Sequence, residues 1–295
     1  SWCKADKTHS NQKKQMRTIY VAIIMMVLSA SCIKKQLKLK LINEQNFTRV
    51  IDNKQVHLFT LKNENGLTAQ ITNFGGRVVS LWAPEKHGNY DDIVLGYEAL
   101  DRYLKPEGNY FDVLIGRNAN RIAKGSFTLN DAGKGSINNH SLQIYAAYYT
   151  PINKEQILTR KIEEVKNTPF DFSSLKPMGE DINANCLQLK YGFGYDHNFV
   201  LDGSELRVAA KVIEPNSGRI MEVITNEPGL QFYGGNFLGG NNIGKGNLSY
   251  EYRTAFCLET QYFPDSQNQP SFPSTLLHPG EEFKSTCIYK FTHKS

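Results

Sequence analysis

From about Val50 onward, apolar and polar residues alternate with a period of two, and turn residues interrupt the pattern every eight to twelve positions. That spacing sends successive side chains to opposite faces of an extended chain, so one face can be buried while the other meets water. Val56 to Leu61 and Leu67 to Thr72 read as paired strands around Asn63–Gly66, and Asn73–Gly76 precedes a third strand, Arg77 to Trp82. Leu206 to Ile213 and Arg219 to Thr225 flank Pro215–Gly218 as a second hairpin. Ser249 to Thr260 and Glu282 to Thr292 read as further long strands. No window beyond the first 31 residues sustains an i, i+3, i+4, i+7 apolar face over three turns. The expectation is an all-β chain folded as a large antiparallel β-sandwich.

Composition agrees with a packed body. The chain has 295 residues, 40% hydrophobic and 11% aromatic, which is too apolar for disorder. The net charge of +5 is misleading until it is located. Residues 1–31 carry +4 through Lys4, Lys7, Lys13, Lys14 and Arg17 against Asp6, and Cys32 onward carries +1. The body is nearly neutral and offers no polyelectrolyte footprint for nucleic acid.

The first 32 residues read as a leader. Lys13, Lys14 and Arg17 precede an apolar run from Ile19 to Leu28, and small residues then lead to Cys32. A basic region, ten apolar residues and a small-residue end describe a secretory signal too short for a permanent span. The Leu28–Cys32 ending resembles a bacterial lipobox, which makes Cys32 a lipidation candidate and the protein exported, periplasmic or membrane-anchored. Met16 reads as the true start, with residues 1–15 as upstream read-through. Residues 33–49, with Lys34, Lys35, Lys38 and Lys40, read as a tether to a domain spanning 50–295. Cys186, Cys257 and Cys287 form neither a disulfide framework nor a zinc spacing, so each reads as a small buried apolar residue.

The specific signal lies in strings of sequence. Gly66–Gly76 (GLTAQITNFGG) is followed by Asp92–Tyr97 (DIVLGY) and Ile115–Gly125 (IGRNANRIAKG). Then come Gly194–Phe199 (GYDHNF), Pro228–Tyr233 (PGLQFY) and Cys257–Gln261 (CLETQ), with Asn268–Pro270 and Pro279–Glu281 beyond. In order and spacing these resemble the aldose 1-epimerase (galactose mutarotase) family, from about Val50 to Phe291. The family's fold is a large antiparallel β-sandwich, the class the alternation points to independently.

The resemblance implies interconversion of the α and β anomers of free hexoses such as glucose or galactose. A base takes the proton of the C1 hydroxyl while an acid protonates the ring oxygen, and both must reach one pyranose. By the match Glu259 is the base, and Asn120, Arg121, Asp196 and Gln231 hold sugar oxygens. Without the family, Glu259 would read as a solvent-facing strand glutamate, Asp196 as a turn-capping residue, and Gln231 as an ordinary polar strand residue. Arg117 reads as a surface ion-pair partner, and Phe232, Tyr233 and Phe237 as candidates for an aromatic platform. His197, next to Asp196, points to the opposite face of a strand, and His140 sits where a strand begins, so both read as structural. The resemblance implies no cofactor, and the sequence contains no phosphate loop, dinucleotide fingerprint or metal-spaced histidine and cysteine set.

The chain departs from the family between about Asn130 and Ser136. Family members carry two site histidines, one in a Leu-His-Gly-Gly string after the Asn-Arg pair and one, the acid, in a Thr-Asn-His string. Here Phe127–Asn130 runs through a Gly-rich stretch straight into Ile137–His140, and neither string is present. The expectation is a sandwich lacking several central strands and an epimerase that is weak or inactive; an internally deleted or misassembled gene is the favoured explanation, with a degenerate family member and a variant using another acid as the others. A sugar-binding envelope lipoprotein that has shed the acid is the alternative. A glycoside hydrolase using Asp196 and Glu259 as a carboxylate pair ranks last.

Overall fold

The computed structural model describes residues 39–105, 111 and 134–294, all within one unit running from Leu39 to Ser295. The leader, Cys32, Arg117, Asn120 and Arg121 lie outside the described residues. The chain opens with a hairpin of β1 (Arg49–Ile51) and β2 (Lys54–Val56). A meander follows, made of β3 (Leu58–Lys62), β4 (Thr68–Thr72), β5 (Arg77–Pro84) and β6 (Tyr90–Asp92). A single helical turn, α1 (Leu100–Tyr103), closes it.

The remainder builds two five-stranded sheets. β7 (Ser141–Ile144), β8 (Tyr148–Thr150), β9 (Glu163–Glu164), β10 (Lys176–Pro177) and a short helix α2 (Leu187–Gly192) come first. β11 (Asp196–Val200), β12 (Arg207–Ile213), β13 (Arg219–Thr225), β14 (Gly229–Tyr233), β15 (Cys257–Gln261) and β16 (Cys287–His293) follow. One sheet has the order β10-β7-β12-β13-β16 and the other β15-β14-β11-β8-β9, and every pairing is antiparallel.

Alternation explains how the two sheets share a core. On β13 Met221 and Val223 turn inward, and on β12 Ala210 and Val212 do the same after a bulge at Val208/Ala210. From the second sheet Phe199, Leu230, Phe232 and Leu258 enter the same cluster, joined by Phe170, Phe172 and Tyr195. Those rings meet edge-on or stacked at centroid distances of 5.2–5.6 Å, the offset geometries that aromatic quadrupoles favour. The meander is tied on by Arg219, 1% exposed, whose guanidinium pairs with Asp91 at 2.6 Å and donates to the Pro84 carbonyl.

Four sequence expectations change. Residues 39–49 belong to the body rather than to a tether: the Ile42 amide donates to Gln70, and Phe47 is fully buried in a turn capped by Asn43. The strand expected over Ser249–Thr260 begins only at Cys257, because Glu251–Thr254 closes a turn and Arg253 takes a left-handed φ of 57°. The strand expected from Glu282 begins at Cys287, where pairing with β13 starts. Cys257 is buried as expected, but Cys186 is half-buried and Cys287 is exposed, at the start of an edge strand.

Candidate active site

The second sheet has two unlike faces. Asp196 and Asn198 on β11, Gln231 and Tyr233 on β14, and Glu259 and Gln261 on β15 alternate with the core residues and share the face away from the core. Cross-strand register sets them in rows: Asn198 opposes Gln231, which opposes Glu259, and Asp196 opposes Tyr233. Directly opposed residues have Cβ atoms about 5 Å apart. β8 adds Thr150, opposite Asn198.

This face is polar yet enclosed. Glu259 is 3% exposed, Gln231 5%, and Asn198 and Gln261 1% each. Buried polar groups need partners, and here they form a directed chain. The Thr150 hydroxyl donates to the Asn198 carbonyl at 3.3 Å and accepts from the Asn198 side-chain amide at 3.4 Å. That leaves Asn198 Oδ1 facing Gln261, whose Nε2 donates to it at 3.3 Å and to Gln231 Oε1 at 3.4 Å. With its oxygen engaged, Gln231 turns its Nε2 to Asp196 Oδ1 at 2.8 Å. The backbone carbonyl at one end therefore orients a carboxylate at the other. Gly229 makes room for it, since a Cβ there would stand 2.4 Å from Asn198 Oδ1.

Asp196, Gln231 and Glu259 thus stand together on this enclosed polar face, the candidate cup. Glu259 is not in solvent, and Gln231 stands between it and Asp196. A carboxylate pair flanking a glycosidic bond, the hydrolase reading, would meet that amide first. Asn198, Gln261 and Thr150 were not singled out from sequence. The first two stand two residues from Asp196 and Glu259, so strand alternation alone could have placed them on the same face.

The histidines stand elsewhere. His197 is 1% exposed on the core face of β11, against Phe170 at 4.5 Å, with Nε2 3.2 Å from Gln188. Burial lowers its imidazole to about 3. His140 is 1% exposed against Phe256, and burial lowers it to about 4 despite the opposing pull of Glu214. Both are neutral near pH 7. Of the candidate platform, Phe232 is fully buried in the core, while Tyr233 lies on the cup face and stacks on Phe237 at 5.9 Å. Burial raises the Tyr233 phenol, so its oxygen stays protonated at neutral pH. Among the described residues no group of three or more histidine, cysteine or acidic side chains is placed to hold a metal.

A cavity of about 280 Å³ lies elsewhere, lined by Trp82, Asp92, Lys134 and Lys245 among others. Lys245 is bound there to Asp92 at 2.6 Å and to the Val79 carbonyl. That cavity contains none of the cup residues.

The described sheets make a two-sheet antiparallel sandwich that carries neutral amides and carboxylates on one sheet face. The aldose 1-epimerase family model matches residues 57–133 and 132–290, and the chain belongs to that family. It is 31% identical to galactose mutarotase of Bos taurus over 329 aligned positions, covering 80% of this chain and 94% of that protein. Aldose 1-epimerase of Escherichia coli is 38% identical over 165 residues, 55% of this chain and 47% of that one. The fold is similar to the GalM/aldose epimerase homologue of C. elegans, with a TM-score of 0.69 and 20% identity, covering 81% and 100% of the two chains. Galactose 1-epimerase of Lactobacillus acidophilus gives 0.68 and 20% identity, covering 84% and 98%. The bovine alignment is longer than this entire chain, so part of that relative has no counterpart here. The family match divides at residues 132–133, where the flanking strings run together.

Proposed function

We propose that this chain binds free aldohexoses in the cup and interconverts their anomers, with Glu259 as the base that removes the C1 hydroxyl proton. Asp196 accepts from sugar hydroxyls, Gln231 donates to them, and Asn120 and Arg121 hold further oxygens. The hemiacetal opens as the ring oxygen gains a proton, C1–C2 rotation exchanges the faces of the carbonyl, and reclosure yields the other anomer. The observation that carries this reading is the enclosed Glu259 carboxylate opposite Gln231, which is itself bonded to Asp196.

No histidine among the described residues lies on the cup face, so the ring-oxygen proton comes from a poorer donor. The rate should then fall below that of a fully equipped family member by about 10²–10⁴-fold, the usual worth of a positioned acid. Polarimetry of freshly dissolved α-D-glucose tests this. The expected result is slow catalysis above the spontaneous rate, lost in Glu259→Gln while calorimetric sugar binding is kept. Unchanged catalysis in Glu259→Gln would refute the assignment. The same absence favours a second reading, sugar binding without turnover; binding with only spontaneous mutarotation in the unaltered chain would select it. Export and acylation at Cys32 are supported by the leader pattern alone, and the mass of the mature N-terminal peptide tests them.

A further inference from the structure

The outer face of the β10-β7-β12-β13-β16 sheet is banded, and strand register makes the bands visible. Ala210, Val212, Met221 and Val223 fill the core, and Tyr289 and Phe291 pack against it. The alternate residues of β7, β12, β13 and β16 therefore look outward, in rows that cross the strands. Val208 opposes Ile224, which opposes Ile288. One row on, Gln143, Lys211, Glu222 and Lys290 stand side by side. The next row is Ser141, Ile213, Ile220 and Thr292. A charged band thus runs between two bands rich in β-branched apolar side chains.

This face is open. Ile288 is 43% exposed and Val208 37%. Tyr145, whose hydroxyl donates to Gln143 on the same face at 3.4 Å, is 45% exposed. Lys211, Ile213, Ile220, Glu222 and Ile224 are half-buried. Single apolar residues on a surface need no explanation, but bands across adjacent strands form a contiguous patch. Glu222 binds Lys290 of its own chain at 3.0 Å, while Lys211 has no ion-pair partner among the described residues.

We propose that this face is a two-fold interface with a second copy of the chain, its axis parallel to the strands and midway between β12 and β13. That rotation exchanges β12 with β13 and β7 with β16, and it sets each row on the same row of the other copy. Lys211 meets the partner's Glu222, and Glu222 the partner's Lys211. Val208 packs on the partner's Ile224, Ile213 on the partner's Ile220, and Ile288 on the partner's Tyr145. Lys290 meets the partner's Gln143, so no like charges are opposed. An axis along β13, or one across the strands at the charged row, would set Glu222 on Glu222. An axis between β13 and β16 avoids that clash but overlaps only two strands. Aligned sheets pack about 10 Å apart, a gap that a lysine and a glutamate span end to end. Four strands about 4.8 Å apart and seven residues of about 3.4 Å make a patch of roughly 450 Å² per copy, against about 800 Å² in a standard interface. The pairing is therefore weak and depends on concentration.

Sedimentation velocity of the full chain, run from micromolar to near-millimolar concentration, tests this. The unaltered chain should pass from monomer to dimer. Glu222→Lys and Lys211→Glu should each stay monomeric, because each sets two pairs of like charges across the axis. Both substitutions are on the sheet surface, so thermal unfolding should change little. An equimolar mixture of the two variants should dimerise again, since each altered face repels itself and complements the other. That rescue requires both variants to be folded, and sugar binding plays no part in it. A chain that is monomeric at every concentration overturns the interface. So do single variants that dimerise like the unaltered chain, or a mixture that stays monomeric.

Discussion

Gly229 is the least conspicuous member of the cup and gives the most exacting test of how the cup is held. Its φ is not positive, so the glycine serves space rather than backbone freedom. A Cβ there would stand 2.4 Å from Asn198 Oδ1 and 3.0 Å from both the Gln261 carbonyl and a Phe263 ring carbon. The carbonyl is fixed in the β14–β15 ladder, so in Gly229→Ala the Asn198 side chain must give way. Its bonds to Gln261 and Thr150 then break in a place that is 1% exposed. Overpacking costs about 1–3 kcal/mol and stranded buried polar groups about 1–3 kcal/mol. The stiffer unfolded chain returns about 0.4–1 kcal/mol. The net expectation is a loss of roughly 2–4 kcal/mol in urea unfolding, with weaker hexose binding because Gln231 loses its tether. Gly203→Ala is the control: its φ is 73° but nothing lies within 4 Å of the new Cβ, so it should lose only about 1 kcal/mol. In an Asn198→Ala background the Gly229→Ala penalty should shrink by at least about 1 kcal/mol, the coupling of two residues in contact. A Gly229→Ala protein within about 0.5 kcal/mol of the unaltered chain, or additive behaviour in the cycle, would refute the relay.

Two further outcomes follow from buried charge. His197 and His140 are held near 3 and 4 in the folded chain, below the ordinary 6.5, so below pH 6.5 the unfolded chain binds protons that the folded chain refuses. Their stabilisation is complete above about pH 6.5 and should fall by on the order of 1 kcal/mol per pH unit per histidine down to about pH 4. His197→Gln should make urea midpoints less steep across that window, and an unchanged slope would be contrary. Asp91→Ala removes the carboxylate partner of the buried Arg219 guanidinium, which keeps the Pro84 carbonyl, and should cost about 3 kcal/mol in urea unfolding. Asp101→Ala, which breaks the exposed pair with Arg49, should cost less than about 1 kcal/mol.

What could be read from sequence tracks what is local. The β12–β13 hairpin was legible within a residue because Pro215–Gly218 is a strong turn between two alternating runs. Ser249–Phe256 alternates too, yet without a partner strand it folds as turns, and Tyr250 spends its hydroxyl on the Gly96 carbonyl instead. Glu259, Asp196 and Gln231 were legible through their strings, and alternation alone turned His197 toward the core. Thr150 was not legible, because its part depends on β8 pairing with β11 across 48 residues. Phe193 was hidden for another reason: glycines flank it at 192 and 194, yet the left-handed cap falls on the phenylalanine between them.

Along β11 and β15 the residues of the polar face and those that fill the sandwich are interleaved one by one. Inserting or deleting a single position in either strand would exchange the two sets, setting Phe199 or Leu258 among the polar groups while pushing carboxylates into the apolar core. This pocket can therefore change its chemistry only by swapping letters, never by changing length. Additions and losses have to be absorbed in the connections between strands.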